Sequence, residues 1–252
     1  MLLRSPLLLL LWLLVAPLRA EQLTIAAASD LRFAMEEVVG LFRRQQPADR
    51  IDVVYGSSGK FVAQIGQGAP YDLFFSADSR YPQQLVEAGL AGSAVKPYAL
   101  GRLVLWSKDV DAAALSLQDL ADPRFRHIAI ANPQHAPYGQ RAEEALRAAG
   151  VWEAVESRLV LGENIAQAAQ FVETGAADIG IIALALARNP ALAATGSHAL
   201  ISDSLHSPLL QAFVITKRAE HKPLAAAFAA FLDTPAIIAL LQQHGFALPA
   251  AP

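Results

Sequence analysis

The chain has 252 residues, of which 54% are hydrophobic and 17% are charged, and its formal net charge is −3. This composition excludes disordered, collagen-like and disulfide-stapled proteins. The absence of cysteine also excludes thiolate nucleophiles, iron–sulfur clusters and thiolate zinc sites, so a globular protein with a sizeable core remains.

Residues 1–20 have the three parts of a secretory signal peptide. Arg4 forms a basic start, residues 7–16 form a short apolar stretch, and Ala20 supplies a small residue before the cut. The apolar stretch is shorter than the ~20 residues that span a bilayer, which disfavours an uncleaved anchor. We therefore expect cleavage near residue 20 and a soluble, periplasmic protein. Its net charge is −5, because the removed segment contains two arginines and no acidic residue.

Beyond the signal, short apolar runs alternate with amphipathic segments of helical period. Strands are predicted at residues 25–28, 51–55, 72–75, 100–106, 127–131, 179–182 and 209–216. Helices are predicted at residues 31–42, 61–65, 81–88, 141–149, 166–172, 224–232 and 237–244. This alternation predicts an α/β protein with mostly parallel sheets that are covered by helices on both faces.

The length of the chain favours two lobes over one domain, since most domains have about 100–150 residues. No linker rich in Pro, Gly or Ser separates the lobes, so we expect the chain to cross between them near residues 100–105 and before Pro208. The first lobe is predicted to contain residues 21–100 and 207–252. The second lobe is predicted to contain residues 101–206.

Four predicted strand-to-helix junctions carry residues that suit anion binding. Ser29 and Ser58 lie at N-cap positions, Pro137 suits a helix start, and Asn164 can cap the helix that follows it. A helix N-terminus attracts anions through its unpaired N–H groups, and ligands of α/β proteins bind at the carboxyl ends of strands. Each junction alone is ordinary capping, but the four together predict one anion-binding cleft.

Several other kinds of site are disfavoured by the spacing of residues. Gly59 and Lys60 do not belong to a P-loop, because Phe61 stands where Ser or Thr is needed, and Lys60 is expected to be a solvated residue of the first helical turn. No G-x-S-x-G elbow exists, and Ser58 has no histidine near it in sequence. The six histidines form no H-x-x-x-H pair, so no metal site is favoured.

Five segments resemble the periplasmic molybdate-binding proteins of ABC transporters, in order and with compatible spacing over the whole mature chain. The segments are Ala-Ala-Ala-Ser29, Gly-Ser-Ser58, the run from Gly68 to Asp78, the turn from Asn132 to Gly139, and His-Gly-Phe246. The resemblance implies a type II periplasmic-binding fold, whose two lobes close on a tetrahedral oxyanion. It further implies a monomer without enzymatic activity or cofactor, which delivers molybdate and also tungstate to a membrane permease.

The resemblance also implies which residues hold the anion. Ser29 and Ser58 would donate hydroxyl and backbone hydrogen bonds, and the backbone N–H groups of Tyr138 and Ile165 would complete the shell. Molybdenum would be present only within the oxyanion. Asp30 is expected to turn its N–H inward and its side chain outward, because a carboxylate beside an anion is unfavourable.

One departure from the family pattern concerns a tyrosine. Ala183 stands where many members of the family place a binding Tyr, and the hydroxyl of Tyr138 is the implied replacement. No basic run suggests a nucleic-acid partner. The alternatives are the same fold binding another oxyanion such as sulfate, an exported serine hydrolase that uses Ser58, and a pure interaction module.

Overall fold

The computed structural model describes residues 20–249, so the predicted signal peptide lies outside the described residues except for Ala20. The strands are β1 Gln22–Ala28, β2 Arg50–Gly56, β3 Leu73–Ser76, β4 Lys96–Gly101, β5 Leu103–Ser107, β6 Ile128–Ala131, β7 Leu159–Gly162, β8 Ile179–Ala183, β9 Ser197–Leu200 and β10 Leu209–Ile215. The helices are α1 Arg32–Gln45, α2 Ser58–Gly66, α3 Arg80–Glu87, α4 Pro137–Ala148, α5 Trp152–Val155, α6 Ile165–Glu173, α7 Leu184–Ala187, α8 Pro190–Thr195, α9 Pro223–Phe231 and α10 Pro235–Gln243.

The strands form two five-stranded sheets, with the orders β2-β1-β3-β10-β4 and β7-β6-β8-β5-β9. In the first sheet β10 is antiparallel to both of its neighbours, and in the second sheet β5 is antiparallel to both of its neighbours. The remaining four strands of each sheet run in one direction. The fold is therefore the expected α/β arrangement of two lobes, each with a mixed, mostly parallel sheet. We call the part built on the first sheet the first lobe and the other part the second lobe.

The chain passes between the sheets twice. The first passage separates β4 from β5 at Arg102, and the second runs from β9 to β10 through residues 201–208. The single strand predicted at residues 100–106 is therefore wrong, because this apolar run contains two strands of different sheets. At Gly101 a Cβ atom would lie 2.3 Å from the hydroxyl oxygen of Tyr138, so only glycine lets the chain pass this close.

The hydrophobic cores are built around strands that are buried on both faces. Strands β3, β5, β6 and β8 are fully buried, as their almost uninterrupted apolar sequences predict. In the first lobe the ring of Phe75 stacks on that of Phe213 at a centroid distance of 4.9 Å. Phe228 of α9 meets Phe42 of α1 edge to face at 5.1 Å. The Phe228 contact fixes α9 to the first lobe, and Ile237 and Leu241 of α10 are buried in the same core.

The elements missed from the sequence are short or lie at sheet edges. Strands β7 and β9 are edge strands and are mostly half-exposed, so they lack a clear apolar alternation. Helices α5, α7 and α8 have too few turns to show a helical period. Within residues 20–249 no single helix is both long and apolar enough to cross a membrane, although the bent pair α9 and α10 passes that test jointly by length and composition.

Candidate functional site

The five residues singled out from the sequence line one small cavity between the lobes. Strands β1, β2, β6 and β7 end at this cavity, and the segments that follow them supply its walls. All five residues are buried. The lining consists of Ala28, Ser29, Asp30, Gly56, Ser57, Ser58, Ala77, Ala136, Pro137, Tyr138, Asn164 and Ile165.

Three helices begin at the cavity, and their first N–H groups are free. The backbone N–H groups of Ser58 in α2, Tyr138 in α4 and Ile165 in α6 make no hydrogen bond within residues 20–249. The positive ends of three helix dipoles therefore meet at one place, with donors from both lobes. Such an arrangement attracts a small anion.

Two serine hydroxyls belong to the same wall but have different partners. Ser58 Oγ accepts a hydrogen bond from the N–H of Ala77 at 3.1 Å. The proton of its own hydroxyl has no acceptor within the described residues. Ser29 Oγ donates to Asn164 Oδ1 at 3.0 Å, and Asn164 in turn caps α6 by accepting from Ala166 and Gln167. Ser29 thus joins the end of β1 to the start of a helix in the other lobe.

The expected outward orientation of the Asp30 side chain is wrong. Its carboxylate points into the protein and is 1% exposed. Oδ2 accepts hydrogen bonds from the hydroxyl of Tyr138 at 3.0 Å and from the side-chain amide of Gln211. Burial raises the pKa of Asp30 to about 6, although these two hydrogen bonds act in the opposite direction. We call Asp30, Tyr138 and Gln211 the deep contact.

The Tyr138 hydroxyl is bound within the deep contact. It donates to Asp30 and accepts from Gln211 Nε2 at 3.1 Å, and burial raises the pKa of Tyr138 well above its usual value. In this structure the backbone N–H of Tyr138 is therefore its free donor. Ala183 is fully buried at the end of β8 and lies outside the cavity lining among the described residues.

A second interlobe contact lies at the edge of the cavity, and we call it the rim contact. Ser57 Oγ lies 3.0 Å from His135 Nδ1, and the N–H of Gly59 donates to the backbone oxygen of His135 at 3.0 Å. Lys60 forms an ion pair with Glu163. Lys60 is exposed in the first turn of α2, as expected, and the ion pair adds a partner from the second lobe to this solvated side chain.

The chemistry available at this site is that of hydrogen-bond donation. The cavity lining contains no Lys, Arg or His among the described residues, and no cluster of His, Asp and Glu within residues 20–249 could hold a metal ion. The histidine nearest to the serines contacts Ser57 instead of Ser58, so it cannot activate Ser58 as a nucleophile.

A larger open groove of about 390 Å³ borders the cavity and shares Ser29 and Asn164 with it. Its walls include Arg32, Glu173 and apolar side chains. The groove therefore lacks the convergent helix N-termini that distinguish the cavity.

Comparison with known proteins agrees with this geometry. A family model described as bacterial extracellular solute-binding protein matches residues 23–247. The chain belongs to this family. A solute-binding protein binds its ligand without converting it, so the chain is not an enzyme, and the serine hydrolase alternative is rejected.

Two relatives and one solved structure are similar to this chain over most of its length. The molybdate-binding protein ModA of Rhodobacter capsulatus is 35% identical, and the match covers 92% of this chain and 91% of the relative. ModA of Azotobacter vinelandii is 34% identical, with 94% of each chain covered. The structure of the Azotobacter vinelandii periplasmic molybdate-binding protein matches 90% of this chain and 99% of its own, with a TM-score of 0.83 and 35% identity. The resemblance found in the sequence is confirmed.

A more distant structure shows how widely the fold is shared. The sulfate-binding protein SubI of Mycobacterium tuberculosis superposes with a TM-score of 0.70 at 17% identity, and the match covers 91% of this chain and 88% of that one. Identity this low shows the two-lobed fold alone. This similarity therefore carries no information about the ligand.

Gln211, a member of the deep contact, and its partner Tyr98 were missed in the sequence. Gln211 Oε1 accepts a hydrogen bond from the Tyr98 hydroxyl at 2.6 Å, so Tyr98 extends the same network into β4. A signal was available, because Gln211 is a polar residue within the otherwise apolar strand β10 and is fully buried. A buried amide requires partners.

Proposed function

We propose that this solute-binding protein captures molybdate, and also tungstate, in the periplasm and delivers it to the permease of an ABC transporter. The observation that carries the proposal is the set of three unpaired N–H groups at three helix N-termini around one cavity. The names of its relatives support the choice of molybdate. Export through a signal peptide cleaved near residue 20, the monomeric state, and the absence of a cofactor or nucleic-acid partner belong to the same proposal.

The donor set matches the charge distribution of a tetrahedral dianion. Ser58 would donate through its N–H and its hydroxyl, while Tyr138 and Ile165 would donate through their N–H groups. The hydroxyl of Ser29 lies on the same wall and would contribute by leaving Asn164 for the anion. Hydrogen bonds to a charged group contribute about 1.5–3 kcal/mol each, so a few of them suffice for tight binding without a cationic side chain.

The position of the donors in two lobes couples binding to closure. Ser58 belongs to the first lobe, whereas Tyr138 and Ile165 belong to the second lobe, so neither lobe can surround the anion alone. We propose boundaries at residues 21–100 with 207–252 for the first lobe and 101–206 for the second. Bending at the two passages would then close the lobes by a hinge motion, and the closed form would dock on the permease.

Titration calorimetry with molybdate tests the proposal. The parent protein should bind one molybdate, and Ser58→Ala should lose on the order of 1.5–3 kcal/mol of binding free energy. Ser116→Ala is the matched control, because Ser116 also lies at a helix start but outside the cavity. The control should bind like the parent. Failure of the parent to bind molybdate would refute the proposal, and tighter binding of sulfate in a competition titration would favour the other-oxyanion alternative.

A further inference from the structure

Asp30 is one of the residues that line a cavity otherwise built to hold an anion. Its side chain is buried, and the two oxygens of its carboxylate have different surroundings. Oδ2 accepts from Tyr138 and Gln211, whereas Oδ1 has no hydrogen-bond partner within residues 20–249. A buried carboxylate oxygen without a partner is costly, which marks this group as unusual in a wall of donors.

The groups that face Asp30 offer no positive charge. They are the Tyr138 hydroxyl from α4, the Gln211 amide from β10 with the Tyr98 hydroxyl from β4 behind it, and the backbone N–H groups of Asp30 and Leu31, which also lower the pKa of the carboxyl group. Both tyrosines remain protonated, because burial raises the pKa of each well above its usual value. No Lys, Arg or His belongs to the cavity lining among the described residues. An ionised Asp30 is therefore stabilised by neutral dipoles alone.

A dianion in this cavity would place its charge beside that of the carboxylate. Water is excluded from the wall, so little solvent separates the two charges, and repulsion between like charges in such a site is relieved when one group takes up a proton. Because the dianion itself carries no proton, Asp30 is the group that becomes protonated.

We propose that Asp30 binds a proton when the tetrahedral dianion enters, so that capture of the anion is linked to proton uptake at this side chain. The inference rests on the proposed function, because it requires a dianionic ligand. The proton comes from solvent and converts the carboxylate to a neutral carboxyl group. Asp30 is thus a residue that tunes affinity.

The sign of the resulting pH dependence follows directly. Burial raises the pKa of Asp30 to about 6 before an anion is added, so the carboxylate is mostly ionised at about pH 7.5. The anion raises this pKa further. Affinity should therefore increase as the pH falls from about 8.5 towards 6, by at most about tenfold per pH unit, and it should level off once Asp30 is protonated in the free protein as well.

Calorimetry in two buffers of different ionisation enthalpy counts the protons directly. Molybdate is titrated into the parent protein at about pH 7.5, in one buffer with a small ionisation enthalpy and one with a large one. We expect a net uptake of a substantial fraction of one proton per anion. Asp30→Asn should bind molybdate without uptake and with an affinity that is nearly independent of pH, since an amide oxygen can still accept from Tyr138 and Gln211.

His135→Gln is the control for the other titratable group near the cavity. Burial lowers the pKa of His135, so it is neutral at about pH 7.5, and its replacement should leave the proton count unchanged. Tyr138→Phe provides a second variant, because it removes a hydrogen bond that favours the ionised form of Asp30 and should move the pH dependence upward.

The outcomes separate this inference from the proposed function. Binding of molybdate to the parent without proton uptake overturns the inference, as does an undiminished uptake in Asp30→Asn. Absence of molybdate binding in the parent refutes the proposed function instead. Proton uptake is measured on the parent protein itself, so the inference can be tested even if Asp30→Asn fails to fold.

Discussion

Two of the contacts between the lobes differ in their access to water. The deep contact of Asp30, Tyr138 and Gln211 is almost free of solvent. In the rim contact, the side chains of Lys60 and Glu163 are 48% and 42% exposed, and the backbones of Gly59 and His135 meet directly. Breaking a buried hydrogen bond leaves unsatisfied groups behind, whereas water replaces an exposed ion pair at little cost.

This difference assigns different tasks to the two contacts. The deep contact lies beside Gly101, at the first passage between the lobes, so its geometry fixes how the lobes are aligned. The rim contact lies at the start of α2 and depends on a close fit of two backbones. We therefore expect changes in the deep contact to affect both stability and binding, and changes in the rim contact to affect binding alone.

The largest effect is expected from Gly101→Ala. The added Cβ would lie 2.3 Å from the Tyr138 hydroxyl oxygen and 2.9 Å from Gln211 Nε2. Overpacking of this kind costs about 1–3 kcal/mol or more. Urea unfolding without ligand should show this loss, and calorimetry should show weaker molybdate binding. A variant as stable as the parent would show that Tyr138 and Gln211 can shift to accommodate the added Cβ, and that the deep contact does not align the lobes.

Gly59→Ala tests the rim contact in the same way. The added Cβ would lie 2.7 Å from the backbone oxygen of His135, which cannot rotate away. We expect an open form of the ligand-free protein to lack this contact, so molybdate binding should weaken by about 1–3 kcal/mol while the ligand-free protein keeps its unfolding free energy.

Gly66→Ala is the matched control for Gly59→Ala. Gly66 ends the same helix, and a Cβ there would have no neighbour within 4 Å. Calorimetry and unfolding of both variants separate the two effects. Equal losses of binding and ligand-free stability in Gly59→Ala would mean that the rim contact also persists in the open form.

Tyr138→Phe should have a smaller effect that depends on pH. The hydroxyl donates to Asp30, and its removal costs about 1 kcal/mol of the ligand-free unfolding free energy while Asp30 is ionised. Since burial raises the pKa of Asp30 to about 6, this loss of stability should shrink as the pH falls towards that value. Urea unfolding without ligand at about pH 6 and pH 8 checks this. A loss that grows at the lower pH would contradict the assignment of the hydroxyl to Asp30.

The smallest effect is expected from Lys60→Met. The ion pair with Glu163 is half exposed, so its loss should change the molybdate affinity by less than about 1 kcal/mol, and added salt should abolish the difference. Glu163→Gln should behave alike, and the double variant should be no weaker than either single one. A large effect that persists at high salt would show that Lys60 contributes to the rim contact by packing in addition to charge.

Local signals predicted the strand-to-helix junctions that line the cavity but not the orientation of Asp30. Ser58 and Asn164 could be found because strand ends, glycines and polar helix starts are visible in adjacent residues, whereas the N–H groups of Tyr138 and Ile165 were implied by the family resemblance. The inward turn of Asp30 depends on Tyr138 and Gln211, which lie 108 and 181 positions away along the chain. No pattern of neighbouring residues contains such a contact.

The fold shows the same limit at the first passage. The apolar run from Leu100 to Trp106 predicts a buried strand correctly in composition, but periodicity does not show where a chain changes sheets. Gly101 was the available sign, because a glycine inside a strand often marks a close approach of another group. The half-exposed edge strands β7 and β9 gave no comparable signal.

The strand order of the first sheet also sets a sequence of folding events. Strand β4 pairs with β10, which is inserted between β4 and β3, so β4 has no sheet neighbour until residues 209–215 arrive. The second sheet is made entirely from the continuous stretch between β5 and β9. During synthesis, which starts at the N-terminus, the second lobe can therefore complete its sheet before the first lobe. The sheet of the first lobe requires the pairing of β10 with β3 and β4, which are distant from it in sequence, so we expect this sheet to form in the slower phase of refolding.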